Sequence, residues 1–224
     1  MTEMMTQAVT ISRQMGSGAH CIGYLVAKEL GFKYVNREIL DEAAKRIHTD
    51  VSFLKHYDET SVGILESIAR GFFFGAPETD AIPPLRRPIY NRDLYNLEGK
   101  IMNEIVDRHS AVIMGHGGFF ALRERSRVIR VFIYAPLEFR IERIMKTQNM
   151  KDVGKARSIV EESDRRRGKF IRAIAGASWT DVRNYDLCLD SSFVDSSTCV
   201  GIIADLARRG EPLAPGKTDT LVPP

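Results

Sequence analysis

The sequence predicts an α/β domain built on a mainly parallel sheet. Two observations carry that prediction: five short apolar runs of strand length, and, between them, longer segments whose apolar residues recur at helical spacing. A third bounds it. At 224 residues, 44% of them hydrophobic, the chain is long enough for one large core, and residues 1–210 are read as a single domain.

The strand-like runs are AVTIS (8–12), KYVN (33–36), AVIMG (111–115), VIRVFIYA (128–135) and YDLCLD (185–190). After the first run, Ile22, Leu25, Val26 and Leu30 form one helical stripe. Leu94, Leu97, Ile101 and Ile105 form another before the third run, and Ile202, Ile203 and Leu206 mark a last helix. That last helix has Asp195, Ser196 or Ser197 to cap its start and Gly210 to end it. Two segments break the alternation. Residues 50–93 contain GFFFGAP and AIPPLRRPIY, whose glycines and prolines interrupt helices, so they read as an irregular excursion. Residues 147–176 contain ARSIVEESDRRRGKFIRAIAG, a charged helix with a thin apolar stripe at Ile159, Phe170 and Ile174 and a solvated opposite face. Residues 211–224 are Pro-rich and polar and read as a disordered tail.

Composition excludes several classes. The 32 Lys and Arg against 29 Asp and Glu leave a net charge of +3, which gives no general reason to expect nucleic acid or an anionic membrane as partner. Cys21, Cys188 and Cys199 form no Cys-x-x-Cys pair and no ladder with histidine, so neither a disulfide framework nor a protein-held metal is expected. No apolar run reaches the length of about 20 residues that spans a bilayer. A cytoplasmic protein is the expectation, and a homodimer stays open.

The stretch SRQMGSGAHC (12–21) joins the first strand to the first helix. Glycines in such a turn let successive backbone N–H groups converge on an anion, and the positive end of the helix dipole adds to them. Gly16 and Gly18 supply the conformational freedom, and Ser17 adds a hydroxyl. A complete G-x-x-x-x-G-K-[ST] loop would have Gly at Arg13 and Lys at Ala19, so this is a lysine-free version. Cys21 reads as a small core residue of the first helical turn rather than a nucleophile.

Several stretches together resemble the cytidylate kinase-like family, a branch of the P-loop nucleoside monophosphate kinases. They are ISRQMGSGAHCIGYLVAKELGFKYVNREIL, AVIMGHGGFFAL, VIRVFIYAPLEFRIERIMK and YDLCLDSS, matching in order over roughly residues 8–206. The resemblance implies a three-layer P-loop kinase fold with about five parallel strands, an acceptor-binding excursion (50–93) and a helical lid (147–176). It implies transfer of the γ-phosphoryl group of ATP, with Mg²⁺, to a nucleoside monophosphate, CMP or dCMP by default. The partners are then small-molecule nucleotides.

Carried over position by position, the resemblance assigns Gly16, Ser17, Gly18, Ala19, His20 and Cys21 to the donor phosphates. Arg13 is the candidate for the charge that the missing lysine would deliver, and Arg165 and Arg167 are the lid arginines. Asp164 with Arg167 matches the family's Asp-x-x-Arg acceptor contact, and Arg37 and His116 fall at acceptor-binding positions. Three departures stand out: His20 and His116 replace arginines of the family pattern, and Asn36 replaces the acidic residue before Arg37. Imidazole, with a reference pKa of about 6.5, replaces those cations only where a neighbouring anion keeps it protonated. Cys21 stands where relatives carry the threonine that ligates Mg²⁺, so no metal ligand is assigned to this chain.

Overall fold

The structure, a computed structural model, describes residues 6–36 and 92–209. Strand β1 (Ala8–Arg13) leads into helix α1 (Ala19–Leu30) and strand β2 (Lys33–Val35). Helix α2 (Arg92–Arg108), β3 (Ala111–Met114), the single-turn α3 (Gly118–Ala121) and β4 (Val128–Tyr134) follow. Then come α4 (Leu137–Thr147), the 23-residue α5 (Val153–Ala175), a 3-10 turn at Val182–Asn184, β5 (Leu187–Asp190) and α6 (Ser196–Arg209).

The five strands form one parallel sheet in the order β2-β3-β1-β4-β5. The strand that carries the glycine loop is therefore the central one. Ala8 to Ile11 are all at most 1% exposed, so AVTI reads as a continuous apolar run because both sheet faces are covered. Val9 and Ile11 pack with Ile22 and Val26 of α1 and Cys199 and Ile203 of α6 on one face. Ala8, Ile113 and Val128 pack with Ile101, Met102 and Val106 of α2 on the other. This is the three-layer α/β arrangement the sequence predicts. All five strands lie where the apolar runs place them, shortened or lengthened by one or two residues.

Asp195 is the cap of α6: its Oδ1 accepts from the backbone N–H groups of Ser197 (2.9 Å) and Thr198 (3.1 Å). Asp152 caps α5 in the same way, accepting from the N–H of Lys155 at 3.0 Å. Three expectations change or fall outside the description. The buried stripe of α5 is Ala156, Val160, Ile171 and Ile174, with Ile159 and Phe170 only half-buried. Cys21 is exposed on α1 and not a core residue, because the sheet-facing positions of that turn are Ala19 and Ile22. Arg37, residues 50–91 of the excursion, Gly210 and the tail lie outside the described residues; of the excursion, only residues 92 and 93 are described, opening α2.

Candidate phosphate site at the carboxyl end of the central strand

The chain leaves β1 at Arg13 and turns through Gln14–Gly18 into α1. The turn is braced before any ligand arrives. Gln14 N–H donates to Ile133 O (3.1 Å), Gln14 Oε1 accepts from Ala135 N–H (3.2 Å), and Ser17 Oγ donates to Gln14 O (2.8 Å). Ser17 is fully buried, and its carbonyl accepts from Ser191 Oγ at 2.7 Å. The serine hydroxyl is thereby committed to closing the loop. Gly18, at φ 73°, is the residue before α1, and no side chain caps that helix. The first-turn N–H groups at Ala19, His20 and Cys21 are left at the loop, with the positive end of the helix dipole behind them.

Two arginines of α4 organise the space above this loop. Arg140 is 5% exposed and makes three hydrogen bonds: Nε to Ala135 O (2.9 Å), Nη1 to Met15 O (3.2 Å) and Nη1 to Asp164 Oδ2 (2.7 Å). It thus ties β4, the loop and α5 together. Gly16 is required here by close approach, since a Cβ on it would lie 2.6 Å from the backbone oxygen of Arg140. One turn further along α4, the Arg143 guanidinium sits where a Cβ on Gly18 would be. Its Nη1 is buried and makes no hydrogen bond among the described residues, while its guanidinium carbon lies 5.4 Å from the Phe139 ring centroid. A buried guanidinium N–H without an acceptor, held over a glycine loop, is half of an anion site.

Asp164 and Arg167 sit on the inward face of α5, in line with Val160 and Ile171. Asp164 Oδ2 is taken by Arg140, whereas Oδ1 is buried without a hydrogen bond among the described residues, 3.9 Å from Arg167 Nη1. Arg165 faces the other way: it is largely exposed and hydrogen-bonded to Glu162 on its own helix. The structure therefore brings Asp164 and Arg167 to the loop side and leaves Arg165 on the outer face.

Arg13 closes the other side. A Cβ at Gly115 would lie 2.5 Å from Arg13 Nη1, so this guanidinium rests on the turn after β3. That turn has three successive residues in the left-handed region: Gly115 (φ 75°), His116 (φ 54°) and Gly117 (φ 65°). Gly118 N–H donates back to Gly115 O at 2.9 Å. For histidine this conformation costs about 1–2 kcal/mol. His116 Nδ1 faces Glu98 Oε1 of α2 at 3.7 Å, and both side chains are mostly buried, at 14% and 7% exposure.

His20 is occupied differently. Tyr34 Oη lies 2.6 Å from its Nδ1 and Asn36 Nδ2 lies 3.2 Å from its Nε2. Both ring nitrogens of His20 are thereby in contact with side chains of this chain. Burial pushes the Tyr34 hydroxyl up to about 12, against an opposing pull from Arg13, so the phenol stays protonated. His20 in this arrangement pins α1 to β2.

Among the described residues, no group of three or more His, Cys, Asp and Glu could hold a metal ion, and no helix is long and apolar enough to cross a membrane. Arg140, Arg143 and Glu98 are the site residues that sequence reasoning missed. The motif APLEFRIER quoted for the family contained both arginines, but nothing in a linear pattern says which cation turns toward the loop. Glu98 was hidden on an otherwise ordinary amphipathic helix.

Comparison with known proteins agrees with the fold. The model of the "Cytidylate kinase-like family" matches residues 8–193. A cytidylate kinase of Methanopyrus kandleri is 27% identical over 192 residues, covering 82% of this chain and 84% of that protein. A solved structure of an uncharacterized protein from Eubacterium ventriosum superposes with a TM-score of 0.66 at 18% identity, covering 91% of this chain and 99% of that one.

Proposed function

We propose an acceptor and a division of labour from one premise: this chain belongs to the cytidylate kinase-like family and is a kinase. The proposed reaction moves the γ-phosphoryl group of ATP to a nucleoside monophosphate, CMP or dCMP by default. The observation that carries it is the unbonded Arg143 Nη1 above the uncapped start of α1.

The donor phosphates would lie against the N–H groups of the Gly16–Gly18 loop and of Ala19, His20 and Cys21, under Arg143. Phosphoryl transfer asks the protein mainly for positioning and charge neutralisation. Here the guanidiniums of Arg143, Arg13 and Arg167 supply both, from three different elements. Arg140 holds no substrate in this scheme. It keeps the loop, β4 and α5 in register, so that an inward arginine on α5 stays near the phosphates. The acceptor would enter on the β3 side, between Arg13 and His116. Mg²⁺, when bound with ATP, would supply charge neutralisation on the phosphates, held by the nucleotide, water and a carboxylate; among the described residues no group of three or more His, Cys, Asp and Glu marks its place.

A coupled ADP-release assay with Mg-ATP and a panel of CMP, dCMP, UMP and AMP tests this reading. Turnover is expected with CMP or dCMP. If all four fail while ATP binds in calorimetry, the monophosphate-kinase reading is wrong. A nucleotide-binding regulatory protein, or a kinase of another small acceptor, then takes its place. The way Tyr34 and Asn36 occupy both nitrogens of His20 is the observation that favours a weakened enzyme.

A further inference from the structure

We propose that Asp164 is a positioning residue for the phosphate donor: acting through Arg140, it fixes the conformation of the glycine loop, so that its loss weakens ATP rather than the acceptor. The inference rests on the loop holding the donor phosphates, as proposed above. It departs from the role the resemblance implies, in which Asp164 contacts the acceptor.

The loop offers phosphate no lysine, so its grip depends on how its backbone is held. One nitrogen does the holding. Arg140 Nη1 donates both to Met15 O (3.2 Å) and to Asp164 Oδ2 (2.7 Å), while Nε donates to Ala135 O (2.9 Å). The Met15–Gly16 peptide is planar, so fixing its oxygen also fixes where the Gly16 N–H points. Among the described residues, Asp164 is the only carboxylate paired with Arg140. The pair is mostly buried, at 5% and 20% side-chain exposure, and a guanidinium stripped of water does not keep its place without an anion. Met15 supports the same link with its side chain, which packs against Ile141 and Ile144 of α4 and Ala156 and Val160 of α5. The loop is thus keyed to α5 twice, once by charge and once by apolar contact.

Rival roles for Asp164 differ in sign. As a bare charge, a carboxylate near the loop repels a polyphosphate, and removing it would tighten ATP. As an acceptor contact, its removal would weaken the monophosphate and leave ATP alone. Acting through Arg140, its removal lets the guanidinium leave Met15 O, the loop relaxes, and ATP weakens although a negative charge has gone. The two oxygens favour this third role. Oδ2 is spent on Arg140, and Oδ1 lies 3.9 Å from Arg167 Nη1, so both face guanidiniums of this chain. A carboxylate engaged on both sides in this way is placed to orient cations.

Calorimetry on the full chain with Mg-ATP and, separately, with CMP tests this. Asp164→Ala should weaken Mg-ATP about tenfold, the scale of one hydrogen bond lost from the loop, and leave CMP unchanged. Asp164→Asn, which keeps an amide oxygen for Arg140, should recover most of that loss. In an Arg140→Met background, where ATP is already weakened, Asp164→Ala should cost ATP nothing further. If Asp164→Ala does not fold, Arg140→Met combined with Asp164→Leu fills the space with apolar side chains and should bind ATP as weakly as Arg140→Met alone. Unchanged or tighter ATP in Asp164→Ala, a loss confined to CMP, or a further loss in the Arg140→Met background overturns the inference. Wild-type ATP affinity in the apolar pair does so as well. A wild-type chain that binds no Mg-ATP removes both the inference and the donor loop on which it rests. The expected ATP pattern without binding or turnover of any monophosphate would leave the inference standing and remove the acceptor reading alone.

Discussion

Replacing Arg143 by Met should move stability and activity in opposite directions. The guanidinium is half-buried, with Nη1 fully buried and unbonded. A buried donor without an acceptor costs about 1–3 kcal/mol, and the partial exposure of the rest of the side chain puts this one near the low end. Methionine keeps the stem and its contact with Phe139 while removing that penalty. The free protein should gain about 1 kcal/mol, which for a domain of this size raises Tm by roughly 2–4 °C. In the proposed complex with ATP, the same N–H would gain a phosphate oxygen, a charge-assisted bond of about 1.5–3 kcal/mol. Losing it should weaken ATP about 10- to 150-fold. Scanning calorimetry with and without Mg-ATP reads both effects, and the ATP-induced rise in Tm should shrink in the variant. A variant that melts lower than wild type and binds ATP equally well would show that Arg143 is a packing residue and refute its place over the loop.

Three further outcomes follow from the same contacts. Gly18→Ala puts a Cβ into the Arg143 guanidinium at a φ of 73°, so it should lose about 1–2 kcal/mol and most ATP affinity, measured by chemical denaturation and calorimetry. Arg140→Met leaves the Asp164 carboxylate and two carbonyls without their donor; a loss of about 3 kcal/mol is expected, and adding Asp164→Asn should restore part of it in a double-mutant cycle. At Asp195, the Ser197 hydroxyl first, then that of Thr198, holds the carboxyl below the usual carboxylate range. A depressed folded pKa means its stabilisation is present above about pH 4 and is lost as pH falls through the folded value. Asp195→Asn should therefore flatten the fall of Tm between pH 5 and pH 2, and an unchanged slope would deny the cap its electrostatic part.

The central strands β1 and β3 were legible because they are buried on both faces, and burial writes itself into composition as AVTI or AVIM, while the edge strands β2 and β5 are only partly covered. The loop was legible because close packing, against Arg140 at position 16 and Arg143 at position 18, and a left-handed backbone admit little besides glycine there. What the sequence could not give was direction. Arg13, Arg140, Arg143, Arg165 and Arg167 are alike in a linear reading; helix phase and a few carbonyl partners decide that Arg140 braces the loop, Arg143 faces it and Arg165 turns outward. The stripe of α5 was misjudged for a related reason. Asp164 and Arg167 interrupt it on the inward face, so counting apolar residues alone underestimated how much of that helix is covered.

The order of the strands also bears on how the protein comes off the ribosome. Ala8 pairs with Ala111 on one side and with Val128 on the other, more than a hundred residues later in synthesis. Until both partners have emerged, the first strand has no ladder, and the turn after it has neither Ile133 nor Ala135 to hold it. Long-range pairings of this kind form slowly, because the chain must close a large loop before any contact rewards it. A nascent chain ending before residue 134 should therefore be blind to nucleotide, and the exposed apolar first strand is the segment that a chaperone would have to shield in the meantime.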